Sequence, residues 1–144
     1  MKKYQHIVLV LFVRRKTMKD LAEYINNLIA KDELWKFYKS KEWKQLRDSI
    51  LNEYHNECAI CKKRGIVTRY DIGKDGKKTL IKTVHHVKHV RKHPELALSR
   101  YYYECGERKE NLLPVCKKCH NELHPEKGRK KNNRQDKFIN EERW

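Results

Sequence analysis

The sequence predicts a small α+β protein: a modest core stapled by metal, with helices ahead of it. Three observations carry this. Cys58, Cys61, Cys116 and Cys119 form two C-x-x-C pairs. Four histidines stand at two places, His85–His86 and, four residues apart, His120 and His124. Apolar residues recur at helical spacing between residues 18 and 54, whereas the stretches flanking Asp75-Gly76 read as strands.

Composition sets the bounds. The chain has 144 residues, the usual length of one domain. Hydrophobic and charged residues each make up 38%, so the core is small and a bound metal would add to its stability. Thirty-five Lys and Arg against 19 Asp and Glu give a formal charge of +16. Such an excess favours a polyanionic partner, most simply nucleic acid, through counterion release. The plain alternative is a surface charged for solubility.

From the N-terminus, Ile7–Val13 is a continuous apolar run that reads as a strand or packed lead-in. It is far shorter than a membrane span. Arg14-Arg-Lys16 follows, without a small-residue cleavage site, so neither a membrane segment nor secretion is expected. Thr17-x-x-Asp20 resembles a capping box opening a helix through about residue 30, with Met18, Leu21, Ala22, Ile25, Leu28 and Ile29 on one face. Leu34–Tyr38 is dense in aromatics. Ser40 is a good N-cap for a second helix carrying Trp43, Leu46, Ile50 and Tyr54.

Cys58–Cys61 lies at a turn. Residues 66–71 and 78–87 read as two strands joined through Asp75-Gly76, a hairpin signal, with His85–His86 ending the second. Residues 88–110 form a long connection containing a short helical turn at 94–99. Asn111–Val115 reads as a strand, Cys116–Cys119 as a knuckle, and Lys118–His124 as a helix stopped by Pro125. Residues 127–134 form a Lys/Arg/Asn-rich tail, and Phe138 and Trp144 suggest docking of the last residues.

Two sites follow from these positions. Paired C-x-x-C knuckles supply the four thiolates that structural Zn²⁺ takes in a closed tetrahedron. Four of the five cysteines in such pairs argue for metal rather than disulfides, and so for a reducing, cytoplasmic setting. Cys105 has no partner at ligand spacing and reads as a free thiol. His120 and His124, at i and i+4 of a helix, can reach one ion. His85 and His86 point to opposite sides of a regular strand, so one can bind that ion while the other faces water at its edge. That division suits phosphodiester hydrolysis, with an ion neutralising the phosphate and a neutral imidazole accepting a proton. His89 is near enough to orient one of the pair; His6, His55 and His93 read as ordinary surface or loop residues.

Val84-His85-His86-Val87 followed by Asn111-Leu-Leu-Pro-Val-Cys-x-x-Cys-His120 resembles the HNH endonuclease family, the ββα-metal or His-Me finger fold. Tyr38–Arg47 and Cys58-x-x-Cys61 resemble its phage and prophage branch, and the resemblance covers about residues 36–125. It implies a ββα-metal core with His86 as general base and His85 and His120 as ligands of a catalytic divalent ion (Mg²⁺, Mn²⁺, Ni²⁺ or Zn²⁺). His124 would be a third ligand, Asn111 a brace that orients the base, and the four cysteines the ligands of structural Zn²⁺. The expected substrate is DNA, nicked or cut on both strands, in the cytoplasm of a bacterial or phage-infected cell. Lys88, Arg91, Lys117 and Lys118 are candidate phosphate contacts.

The chain divides on this reading into an N-terminal extension (1–35), the nuclease domain (36–125) and a basic tail (126–144). Residues 101–110 resemble an insert relative to compact family members. Two rival readings stand beside the nuclease. One is a non-catalytic zinc-stabilised module that only binds nucleic acid. The other is an interaction protein whose aromatic N-terminal half docks a partner such as the phage packaging machinery.

Overall fold

The computed structural model describes residues 17–124. The expectations for Ile7–Val13, Pro125, the basic tail, Phe138 and Trp144 fall outside the described residues. Helix α1 (Met18–Ala30) opens on a capping box: Asp20 N donates to Thr17 Oγ1 at 3.2 Å, and Thr17 N to Asp20 Oδ2 at 3.0 Å. Its inner face buries Ile25 and Leu28 and packs against a 3₁₀ turn at Pro94–Leu96. Both residues lie in one core cluster with Phe37, Trp43 and Ile50, so packing is continuous across residue 35.

The aromatic stretch makes a short helix, α2 (Trp35–Lys39), with Phe37 and Tyr38 buried. Ser40 Oγ then accepts from Trp43 N at 3.3 Å and starts α3 (Lys41–Glu53), which buries Trp43, Ile50 and Leu51. Asn56, at φ +56°, turns the chain out of α3, and its Nδ2 donates to Ile81 O at 3.0 Å. The first knuckle sits at a helix start: Cys58 is the N-cap of α4 (Ala59–Lys63).

Strands β1 (Tyr70–Ile72) and β2 (Lys78–Leu80) form an antiparallel hairpin, with Asp71 opposite Thr79 and Gly76 at φ +74° in the turn. The second strand is shorter than the sequence suggests. β2 is fully exposed, and the chain leaves the hairpin at Ile81, which is 0% exposed. Residues Val84–His86 then form a separate buried strand, β3, whose partner comes from much later in the chain.

Residues 88–110 are more ordered than expected. After the 3₁₀ turn, β4 (Tyr101–Glu104) and β5 (Glu107–Glu110) form a second hairpin. Cys105 and Gly106 lie at φ +52° and +78°, the left-handed pair a two-residue type I′ turn requires. Strand β6 (Leu112–Pro114) pairs antiparallel with β3, His85 opposite Leu113 and His86 opposite Leu112. Helix α5 (Lys117–Leu123) follows directly, with Cys116 in the N-cap position. The α+β expectation holds: the described residues combine helices with three small antiparallel sheets, and β3, β6 and α5 form a ββα unit. Among the described residues, no helix is long and apolar enough to cross a membrane.

Candidate metal centres

Folding brings the two knuckles together across the first hairpin. The Sγ atoms of Cys58, Cys61, Cys116 and Cys119 all lie within 4.8 Å of one another. Cys61 Sγ is 3.9 Å from Cys116 Sγ and 3.6 Å from Cys119 Sγ. A tetrahedral Zn²⁺ with ordinary Zn–S bonds sets sulfurs about 3.8 Å apart, so the donor set fits that ion. Burial pushes the Cys116 and Cys119 thiols up, and hydrogen bonding from Thr68 draws Cys61 down. Buried thiols that resist ionisation on their own are stabilised as thiolates by a bound cation. Asp71 on β1 completes the link between hairpin and helix: its Oδ1 accepts from Lys117 N at 2.8 Å, in the first turn of α5.

The same helix presents a second centre on another side. His85 from β3, His120 from α5 and His124 just past it place ligand nitrogens within 4.8 Å of one another. His124 Nε2 lies 3.4 Å from His85 Nδ1. Three nitrogens on one ion at ordinary Zn–N distances stand about 3.3 Å apart, so this set also fits a divalent cation. All three rings are buried, at 5–6% exposure. His124 is the C-cap of α5 at φ −124°, not a helical residue as the sequence suggests. Its ring centroid nonetheless stands 4.8 Å from that of His120.

His86 points the other way. Its ring is 0% exposed, stacked on Trp43 at 4.7 Å and 24°, with Tyr38 and Phe37 at 6.2 and 6.5 Å. Nε2 donates to Ala97 O at 2.9 Å, leaving Nδ1 as the basic nitrogen. The opposite facing of His85 and His86 follows from strand geometry, but His86 does not face water at the strand edge. The partners that enclose it come from α2, α3 and the turn after Pro94–Leu96.

Asn111, also 0% exposed, ties that turn down. Its Nδ2 donates to Leu96 O and Ser99 O, each at 3.0 Å, and its Oδ1 accepts from Lys88 N at 2.9 Å. Asn111 thus fixes the segment whose Ala97 carbonyl holds His86. Of the candidate phosphate contacts, Lys117 and Lys118 are exposed at the start of α5. Lys88 Nζ is engaged with Glu104 at 3.0 Å and lies over the Tyr102 ring, and Arg91 reaches Asp32 at 3.7 Å.

Sequence reasoning missed three positions. Asp71 carried no signal beyond its place before the hairpin turn. Trp43 reads as helix core, and nothing local points to His86 as its stacking partner. The β4–β5 hairpin had a usable signal in Tyr101–Tyr103 with Cys105-Gly106 one residue further on, a run of β-formers ahead of a turn residue.

No family model and no curated protein matches the sequence. Among solved structures, the chain is similar to the manganese-bound HNH endonuclease of the deep-sea thermophilic bacteriophage GVE2. The match has a TM-score of 0.48 and 21% sequence identity, covering 74% of this chain and 89% of that chain.

Proposed function

We propose that this protein is a metal-dependent DNA endonuclease of the HNH type, hydrolysing phosphodiester bonds at the three-histidine centre and stapled by zinc at the four cysteines. The observation that carries this reading is the convergence of His85, His120 and His124 on a ββα unit, with ligand atoms within 4.8 Å. The three histidines would hold a divalent ion, which would supply neutralisation of the scissile phosphate and stabilisation of the leaving oxygen. His85 comes from β3, which pairs with β6 and so leads into Cys116, whereas His120 and His124 come from α5 and its C-cap, the helix that carries Cys119. The +16 charge of the chain, with Lys117 and Lys118 exposed at the start of α5, supplies phosphate-directed binding.

His86 takes the role of general base in this proposal. Its tautomer suits the task, since the Ala97 carbonyl holds the proton on Nε2 and Nδ1 remains basic. The ring is enclosed, however, so substrate binding has to open the wall made by Phe37, Tyr38 and Trp43 before Nδ1 meets a water.

That enclosure is also the observation favouring a second reading, a zinc-stapled module that binds nucleic acid without cutting it. Supercoiled plasmid incubated with Mg²⁺, Mn²⁺, Ni²⁺ or Zn²⁺ separates the two. The nuclease reading expects metal-dependent nicking by the wild type and its loss in a folded, zinc-replete His120→Ala variant. Plasmid binding by both proteins with no cleavage under any ion would refute the nuclease and leave the binding module.

A further inference from the structure

A fourth imidazole borders the three-histidine centre. His89 lies three residues beyond β3, with its ring centroid 5.9 Å from His85 and 5.4 Å from His124. Within the centre itself the corresponding separations are 4.8 Å for His120–His124, 5.1 Å for His85–His124 and 5.8 Å for His85–His120. Imidazoles bound to one tetrahedral ion at ordinary Zn–N distances hold their centroids about 5.2 Å apart. His89 therefore borders two of the three rings, but its nitrogens do not join the group of donors that all lie within 4.8 Å of one another, so to coordinate the same ion its side chain has to swing inward.

Its backbone is anchored on both sides. Lys88 N donates to Asn111 Oδ1 at 2.9 Å, the His89 carbonyl accepts from Lys92 N and His93 N at 2.9 and 2.8 Å, and Val90 is 3% exposed. The three other rings are buried while His89 is exposed, which puts it on the solvent side of the centre. Small rotations about its side-chain torsions are enough to change its distance to an ion held by the other three.

We propose that His89 is a fourth metal ligand, closing a four-histidine tetrahedron around an ion that prefers imidazole and four-coordination, such as Zn²⁺ or Co²⁺. The inference rests on the three-histidine reading above. Hard ions such as Mg²⁺ and Mn²⁺ favour octahedral shells rich in oxygen and water and leave His89 out. The site then has two states, open with a hard ion and closed with a borderline one, and His89 sets the difference.

Co²⁺ titration of protein whose cysteine centre already holds Zn²⁺ tests this without reference to cleavage. The wild type is expected to bind one further Co²⁺ with the intense visible absorption of four-coordinate cobalt and no sulfur-to-cobalt charge transfer. His89→Ala is expected to keep its fold and its zinc, to bind Co²⁺ about tenfold or more weakly, and to show the weak spectrum of a higher-coordinate ion. Unchanged affinity and spectrum in the variant would overturn the proposal, as would a wild-type spectrum already weak and unaltered by the substitution. A wild type that binds no Co²⁺ beyond the cysteine centre, like a His120→Ala control, would overturn the three-histidine reading and this inference together. A nuclease lacking the His89 effect would overturn this inference alone.

Discussion

His86→Ala separates a buried structural ring from a solvent-facing base. The ring is 0% exposed, stacks on Trp43 at 4.7 Å, and donates from Nε2 to Ala97 O at 2.9 Å. Truncating a buried aromatic ring costs about 3–5 kcal/mol. Imidazole is smaller and its transfer from water is less favourable, so the cavity contributes less. Loss of the hydrogen bond also leaves the Ala97 carbonyl without that donor, which adds to the cost. A destabilisation of about 2–4 kcal/mol follows, a large share of the 5–15 kcal/mol typical of a domain. Urea unfolding at fixed free zinc measures it. With a urea slope of about 2 kcal/mol per molar, the midpoint falls by about 1–2 M. A variant as stable as wild type that has lost cleavage would refute the enclosure and make His86 an exposed base. A destabilised variant that still cuts at the wild-type rate, once corrected for folded fraction, would remove His86 from the chemistry.

Other expectations concern what holds the two centres in register. Asp71→Ala removes the acceptor for Lys117 N in the first turn of α5; a loss of about 1–2 kcal/mol is expected by thermal unfolding, with weaker zinc retention because Cys119 rides on that helix. Cys61→Ser breaks the thiolate set, so metal analysis should find the structural zinc lost and circular dichroism a largely unfolded chain, whereas His120→Ala should keep that zinc. Lys109 and Lys88 hold the Glu104 carboxyl down at about 2 from its usual 4.5. A depressed carboxylate stabilises the fold above its unfolded value, and that contribution disappears as pH falls from about 4.5 through about 2. Carboxyl-carbon NMR titration of Glu104 checks it, and Lys109→Ala should move the titration upward.

What was legible in the sequence was local. The Thr17–Asp20 box, the Ser40 cap, the Asp75-Gly76 hairpin and the C-x-x-C pairs each have their cause within a few residues, and each lies where spacing suggests. The long-range features were not legible. β3 separates from β2 because its partner, β6, comes from residues 112–114, and no periodicity in 78–87 encodes that partner. The enclosure of His86 depends on Trp43 from α3 and on a carbonyl eleven residues downstream. Alternation along the strand gave the opposite facing of His85 and His86, but what lies on the far face is a property of helix packing.

The decisive measurement is anomalous diffraction from crystals of protein loaded with one Zn²⁺ per chain, so that zinc fills the cysteine centre alone, and then exposed to Mn²⁺. Two peaks per chain are expected: zinc at the centroid of Cys58, Cys61, Cys116 and Cys119, and manganese bonded to nitrogens of His85, His120 and His124. A zinc peak among the cysteines with no metal density at the histidines, at manganese concentrations well above any working level, would contradict it and leave a zinc-stapled protein without a catalytic ion.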